Sequence, residues 1–219
     1  MPRWRHIPSA VAARALDLPM RWLGKGLLDL EVSGVEHIPR SGPVVIAANH
    51  LSHIDPPLVG NAAGRFVRFL ALDELFGNHL VFDVVTGFFG AIPIDRDGVP
   101  ARALEEAVAH LERGGAVGVF PEGRRVEYWG ETAPKRGAAW LAWMSGAPLV
   151  PVALLGTERT LGPVERGIHR TAVRIWIGPP IWWHEYAMFE DPLAAMTGAW
   201  SGFVDERLGP WWSPVRSVR

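Results

Sequence analysis

Pro43-Val44-Val45-Ile46-Ala47-Ala48-Asn49-His50-Leu51-Ser52-His53-Ile54-Asp55 runs from an unbroken apolar stretch into a cluster of polar, titratable side chains. The apolar half reads as a buried strand, and the polar half as the turn that leaves it. A histidine at a strand end, with a carboxylate five residues on, can form a charge-relay pair. The carboxylate fixes the imidazole tautomer and stabilises the imidazolium, so the other ring nitrogen can take a proton from a hydroxyl. No Ser, Cys or Lys nucleophile is marked out beside it, which favours a base acting on a substrate hydroxyl over a covalent enzyme. Two plainer readings stay open. Asp55 before Pro56-Pro57 is also how a helix starts, with Asp as N-cap and Pro at the first helical position. His53 is a second candidate partner, although His-x-Asp on an extended segment points the two side chains apart.

Outward from this stretch, strand and helix patterns alternate. Strands are expected at 29–35, 43–48, 65–72, 116–120, 148–155 and 171–177, and helices at 56–63, 101–113, 136–145 and near 191–207. The helix at 101–113 is the clearest, because Leu104, Val108 and Leu111 share a face and Gly114-Gly115 ends it. Interleaved elements imply an α/β fold: a mixed, largely parallel sheet covered by helices. Ahead of it, residues 1–30 mix apolar and basic positions around Pro19, as an amphipathic helical segment lying on a membrane would. An ordinary amphipathic helix packed on its own domain is the alternative. The expected organisation is therefore 1–30 as an N-terminal membrane-association segment and 31–219 as the α/β domain.

Composition narrows the function classes. The net charge is −1, without the basic field of a nucleic-acid binder. There is no cysteine, which rules out disulfides, thiolate catalysis and Cys-based metal sites. The eleven tryptophans suit a protein with membrane-interface contacts, Trp182-Trp183 and Trp211-Trp212 among them. No signal peptide is expected, since the first residues lack an apolar central run and a small-residue cleavage site. Gly137 to Thr157 carries no charge and is about as long as a membrane span. Ser145-Gly146, Pro148 and Pro151 break it into a helix, a turn and a buried strand instead.

Four further segments carry chemistry at strand ends. Gly90-Ala91-Ile92-Pro93-Ile94-Asp95-Arg96 places an arginine fork where it could grip a phosphate. Phe120-Pro121-Glu122-Gly123-Arg124-Arg125 ends a strand with a carboxylate, a glycine that allows close backbone approach, and two cations. Lys135-Arg136-Gly137 opens a helix, whose N-terminus attracts anions. Val150-Pro151-Val152 breaks an apolar strand with a proline, which suggests a bulge or an edge facing a groove. Singly, each is a common surface or turn feature. In this order they are what a phosphorylated alcohol substrate needs.

The ordered blocks Asn-His-x4-Asp, Gly-x-Ile-x-Ile-Asp-Arg, Phe-Pro-Glu-Gly-x-Arg, Lys-x-Gly and Val-Pro-Val, spread from about Gly34 to Gly178, resemble the glycerolipid acyltransferase family, 1-acylglycerol-3-phosphate acyltransferases especially. The resemblance implies transfer of a fatty acyl group from acyl-CoA or acyl carrier protein to a lysophospholipid hydroxyl. It implies no metal, no other cofactor and no acyl-enzyme, and a peripheral place on the cytoplasmic face of the cell membrane. By the same resemblance His50 is the general base and Asp55 its orienting acid. Arg96 binds the acceptor phosphate, Glu122 and Gly123 belong to the acceptor-binding block, and Lys135 is a further phosphate-side cation. Val150 and Pro151 shape the acyl or acceptor groove, and Asn49 and Arg124 complete the substrate-binding set. Two positions depart from the family's pattern: Arg124 stands where Thr is usual, and Leu72 where a Lys precedes Glu74-Leu75. They bear on which head group is gripped, and leave other lysolipids or glycolipids as alternative acceptors. A lipid thioesterase or hydrolase using the same His and Asp is a further alternative.

Overall fold

The computed structural model describes residues 28–72, 90–94, 101–164, 167 and 169–216. Seven strands form one sheet: β1 (Leu28–Ser33), β2 (Val44–Ala48), β3 (Val67–Leu72), β4 (Ile92–Ile94), β5 (Ala116–Val119), β6 (Leu149–Leu155) and β7 (Thr171–Ile177). Their order is β1-β7-β6-β2-β5-β3-β4. From β6 through β4 every pairing is parallel; β7 runs antiparallel to β6, and β1 follows β7. The mixed, largely parallel sheet expected from the alternation is present.

Four α-helices are present among the described residues: α1 (Asp55–Ala63), α2 (Ala101–Glu112), α3 (Gly137–Ser145) and α4 (Pro192–Arg216). Alternate residues of β2 divide between two cores. Val45 and Ala47 pack with α2, α3 and α4, while Val44, Ile46 and Ala48 pack with Leu58 and Val59 of α1. A strand buried on both faces has no polar face to show, which is why its sequence reads as a continuous apolar run.

Several boundaries differ from expectation. Leu28 and Leu30, included in the 1–30 segment, belong to β1; residues 1–27 lie outside the described residues. The last helix runs to Arg216, past Gly209-Pro210, because Trp200, Leu208 and Trp212 pack into the core and Trp200 Nε1 donates to the Ala47 carbonyl at 2.8 Å. Tertiary packing here overrides local helix breakers. The uncharged stretch 137–157 divides into α3 and β6, as expected. Among the described residues, no helix is long and apolar enough to cross a membrane.

Pro151 is not at an edge. It sits inside β6, fully covered, between β2 and β7. The Pro151 carbonyl accepts the Gly178 N–H at 2.8 Å, so its ring nitrogen faces β7, whose paired residues stop at Ile177. The missing donor falls where that ladder ends, which lets a proline occupy an interior strand. Val150 and Pro151 are core residues rather than the wall of an open groove.

Candidate active site

The carboxyl ends of β2 and β5 lie side by side, and the chain leaving each one meets the other. His50 follows β2 by two residues. Its Nδ1 is 2.9 Å from Asp55 Oδ2. The same oxygen accepts the Leu51 N–H at 2.7 Å and the Ser52 N–H at 2.6 Å. A carboxylate only accepts, so Nδ1 carries the ring proton and Nε2 is left as the acceptor. Asp55 is wholly buried, whereas the His50 side chain keeps 16% exposure. That combination holds the ring from inside and leaves it open to a substrate.

Asp55 is therefore not an N-cap. Ile54 caps α1 without a side-chain bond, and the Asp55 carboxylate turns back onto the 50–52 loop. The imidazole that pairs with Asp55 Oδ2 at 2.9 Å is that of His50, the first of the two candidate histidines. Burial first, and then the Arg125 charge, push the His53 imidazole down to about 4, so it is neutral at physiological pH.

The segment after β5 wraps the backbone of His50. Glu122 Oε1 accepts the His50 N–H at 3.2 Å, and the His50 carbonyl accepts the Val126 N–H at 2.8 Å. The Phe120 ring lies flat on the imidazole, with centroids 4.0 Å apart and planes 17° apart. Gly123 has φ +71°, and a Cβ there would meet Lys135 Nζ at 2.9 Å. The glycine thus lets the Lys135 amine fold over the turn, whose Pro121 carbonyl accepts the Lys135 N–H at 2.7 Å.

Glu122 is only 4% exposed. Burial pushes its carboxyl up to about 8; hydrogen bonds from its own amide and that of His50 oppose the rise, and the Asp55 charge adds to it. A carboxyl raised in the fold contributes its stability fully below its ordinary range and loses it as pH rises toward 8. Between about pH 6 and pH 9 the Tm should fall by several degrees, and Glu122→Gln, which keeps the acceptor oxygen, should show no such fall. A wild-type Tm flat over that range would remove this account of the carboxyl.

Other expected site residues separate. Arg124 turns outward to Glu131 at 2.6 Å, whereas the half-buried Arg125 lies within electrostatic reach of Asp55 and His53. The cation brought to the site is the neighbour of the one chosen from sequence. Asn49 is fully buried, with Nδ2 donating to the Leu154 carbonyl at 3.0 Å and Oδ1 accepting the Leu154 N–H at 2.7 Å. It latches β2 to β6 rather than facing a substrate. Ser52 Oγ donates to the Thr160 carbonyl and the His53 N–H to that of Leu161, so the 156–161 turn backs the histidine loop. Arg96 lies outside the described residues, as do Glu74 and Leu75. Among the described residues, no group of three or more His, Asp or Glu side chains could hold a metal ion.

The acyltransferase family matches residues 29–155, which run from β1 to β6 and contain His50, Asp55, Phe120, Glu122 and Lys135. A 1-acyl-sn-glycerol-3-phosphate acyltransferase of Bacillus subtilis is 29% identical over 181 residues, covering 81% of this chain and 87% of that one. One from Borreliella burgdorferi is 31% identical over 153 residues, 68% of this chain and 60% of that one. The alpha form of Homo sapiens is 29% identical over 187 residues, 82% and 63% respectively. The chain thus spans most of the Bacillus enzyme but under two thirds of the other two. In fold it is similar to the crystal structure of the 1-acyl-sn-glycerophosphate (LPA) acyltransferase PlsC from Thermotoga maritima. The TM-score is 0.72 at 24% identity, over 90% of this chain and 78% of that one.

Proposed function

The chain belongs to the acyltransferase family, and from that premise we propose that it transfers a fatty acyl group from acyl-CoA or acyl carrier protein to the free hydroxyl of 1-acylglycerol-3-phosphate, giving phosphatidic acid. The observation that carries the chemistry is the buried Asp55 carboxylate 2.9 Å from Nδ1 of a partly exposed His50. In this reading His50 Nε2 removes the acceptor hydroxyl proton, and Asp55 stabilises the imidazolium that forms. The alkoxide attacks the thioester carbonyl, and backbone N–H groups at the site stabilise the tetrahedral oxyanion. Collapse breaks the carbon–sulfur bond, and the leaving thiolate takes the proton back from Nε2. No acyl-enzyme forms.

Arg125 and Lys135, with Arg96 two residues beyond the end of β4 in sequence, would supply positive charge for the acceptor phosphate. Free-thiol release from palmitoyl-CoA tests the proposal, measured with 1-acylglycerol-3-phosphate, with its dephosphorylated analogue, and with no acceptor. Release that requires the phosphorylated acceptor supports it. Release without any acceptor would make the protein a thioester hydrolase, and equal use of both acceptors would remove the phosphate from the reading.

The acceptor resides in a bilayer, so the same proposal places the protein peripherally at the cytoplasmic face of a membrane, with residues 1–27 as its contact. Co-sedimentation with lipid vesicles should be lost when residues 1–27 are removed. Undiminished binding would assign the contact to the folded domain instead.

A further inference from the structure

Asp55 holds His50 by one atom. A single hydrogen bond at Nδ1 leaves the ring able to pivot about that contact, and a pivot swings Nε2 away from its target. Phe120 lies against the face of the ring, centroids 4.0 Å apart, where its bulk stands in the way of such a pivot. Behind Phe120 stands Phe69 of β3, its ring 5.5 Å away and only 15° from parallel. Phe69 is buried and pairs across the ladder with Gly118 of β5. A Cβ on Gly118 would clash with the Phe69 ring, 2.2 Å from Cε1, so that ring lies where it does because position 118 has no side chain. A glycine inside a strand commonly marks such a close approach.

We propose that Gly118, Phe69 and Phe120 form a positioning column that fixes the plane of the His50 imidazole, so that Nε2 already points at the acceptor hydroxyl before substrate arrives. The inference rests on His50 being the general base. Phe120 acts through His50 and touches no reacting atom. Its ring is stacked near-parallel with the imidazole at 4.0 Å and with Phe69 at 5.5 Å. The electron-rich face of Phe120 also meets the ring when it becomes positive during proton transfer. Edge and face constraints together supply the alignment that a proton transfer requires; misplacement by about 1 Å can cost roughly 10²-fold in rate.

The test uses the full chain with palmitoyl-CoA and 1-acylglycerol-3-phosphate. Phe120→Leu, which keeps bulk but loses the flat face, should lower kcat by about 10- to 100-fold and leave both KM values within about threefold. Phe120→Tyr restores a flat face and should recover kcat to within about threefold of wild type. Gly118→Ala must displace Phe69 and should reproduce the kcat loss from a distance; if that variant fails to fold, Phe69→Leu carries the same test. Nitrogen-15 NMR of the His50 ring, assigned by its disappearance in His50→Ala, reads orientation without turnover. Its Nδ1–H resonance should be sharp in wild type and broadened in Phe120→Leu.

An unchanged kcat and an unchanged resonance in Phe120→Leu would overturn the proposal. So would a raised KM for palmitoyl-CoA with kcat intact, which would make Phe120 a wall of the acyl groove. His50→Ala separates this failure from that of the underlying reading. If His50→Ala is inactive and Phe120→Leu is not impaired, only the column falls; if His50→Ala still turns over, both fall.

Discussion

Replacing His50 by alanine should lower acyl transfer by about 10²- to 10⁴-fold, the usual worth of the general base proposed here, while the fold and its thermal stability should stay close to wild type. The separation of the two effects follows from the geometry. Removing the imidazole takes one donor from Asp55 Oδ2, but the Leu51 and Ser52 N–H groups still bond that oxygen at 2.7 and 2.6 Å. Asp55 Oδ2 is therefore not orphaned. The backbone of residue 50 keeps both of its contacts, to Glu122 and to Val126, because neither involves the ring. Phe120 loses one stacking partner, worth about 0.5–1.5 kcal/mol. Steady-state thiol release and thermal unfolding of the same preparation check both halves. Residual transfer above about a tenth of wild type would mean that the hydroxyl loses its proton elsewhere.

How much of this was legible in the sequence depends on how far apart the partners lie along the chain. The His50–Asp55 pair spans five residues, so a local pattern could carry it. The burial of β2 could also be read, because a strand covered on both faces has no polar alternation to confuse it. Contacts made by strand order could not. Glu122 reaches the His50 amide only because β5 pairs with β2, and Asn49 reaches Leu154 only because β6 lies on the other side. Nothing local in either segment encodes those neighbours.

Adjacent positions on a turn are a second blind spot. Arg124 and Arg125 are equivalent as text, yet one is exposed and ion-paired with Glu131 while the other is half-buried within electrostatic reach of Asp55. Pro151 shows a third. Proline in an apolar run argues for an edge, but only the ladder on one side lacks a partner there, and which side that is depends on where β7 stops. The one legible hint of the ring column was Gly118, a residue with no side chain inside an otherwise Val-rich strand.

Asp55→Asn and Asp55→Ala should part company. Asn keeps an oxygen, and the buried N–H groups of Leu51 and Ser52 dictate where it goes, because turning the NH₂ toward them would set donor against donor. The amide oxygen therefore stays at the Oδ2 position and still accepts from His50 Nδ1–H, so tautomer and fold survive. What disappears is the negative charge opposite the imidazolium. At about 4 Å and an effective dielectric near 20, that charge is worth about 4 kcal/mol, or roughly 10³-fold in kcat. Alanine removes the oxygen as well and leaves two buried N–H groups without an acceptor, at about 1–3 kcal/mol each. A chain of this size loses about 2–4 °C of Tm per kcal/mol, so Asp55→Ala should unfold about 10 °C earlier while Asp55→Asn stays near wild type. Measured kcat and Tm for the two variants decide what the carboxylate does. If Asp55→Asn turns over within tenfold of wild type, its charge is not used and Asp55 serves only to tie the 50–52 loop. If both variants lose stability equally, the Asn oxygen does not occupy the Oδ2 position, and the loss of rate then belongs to a misplaced ring rather than to a missing charge.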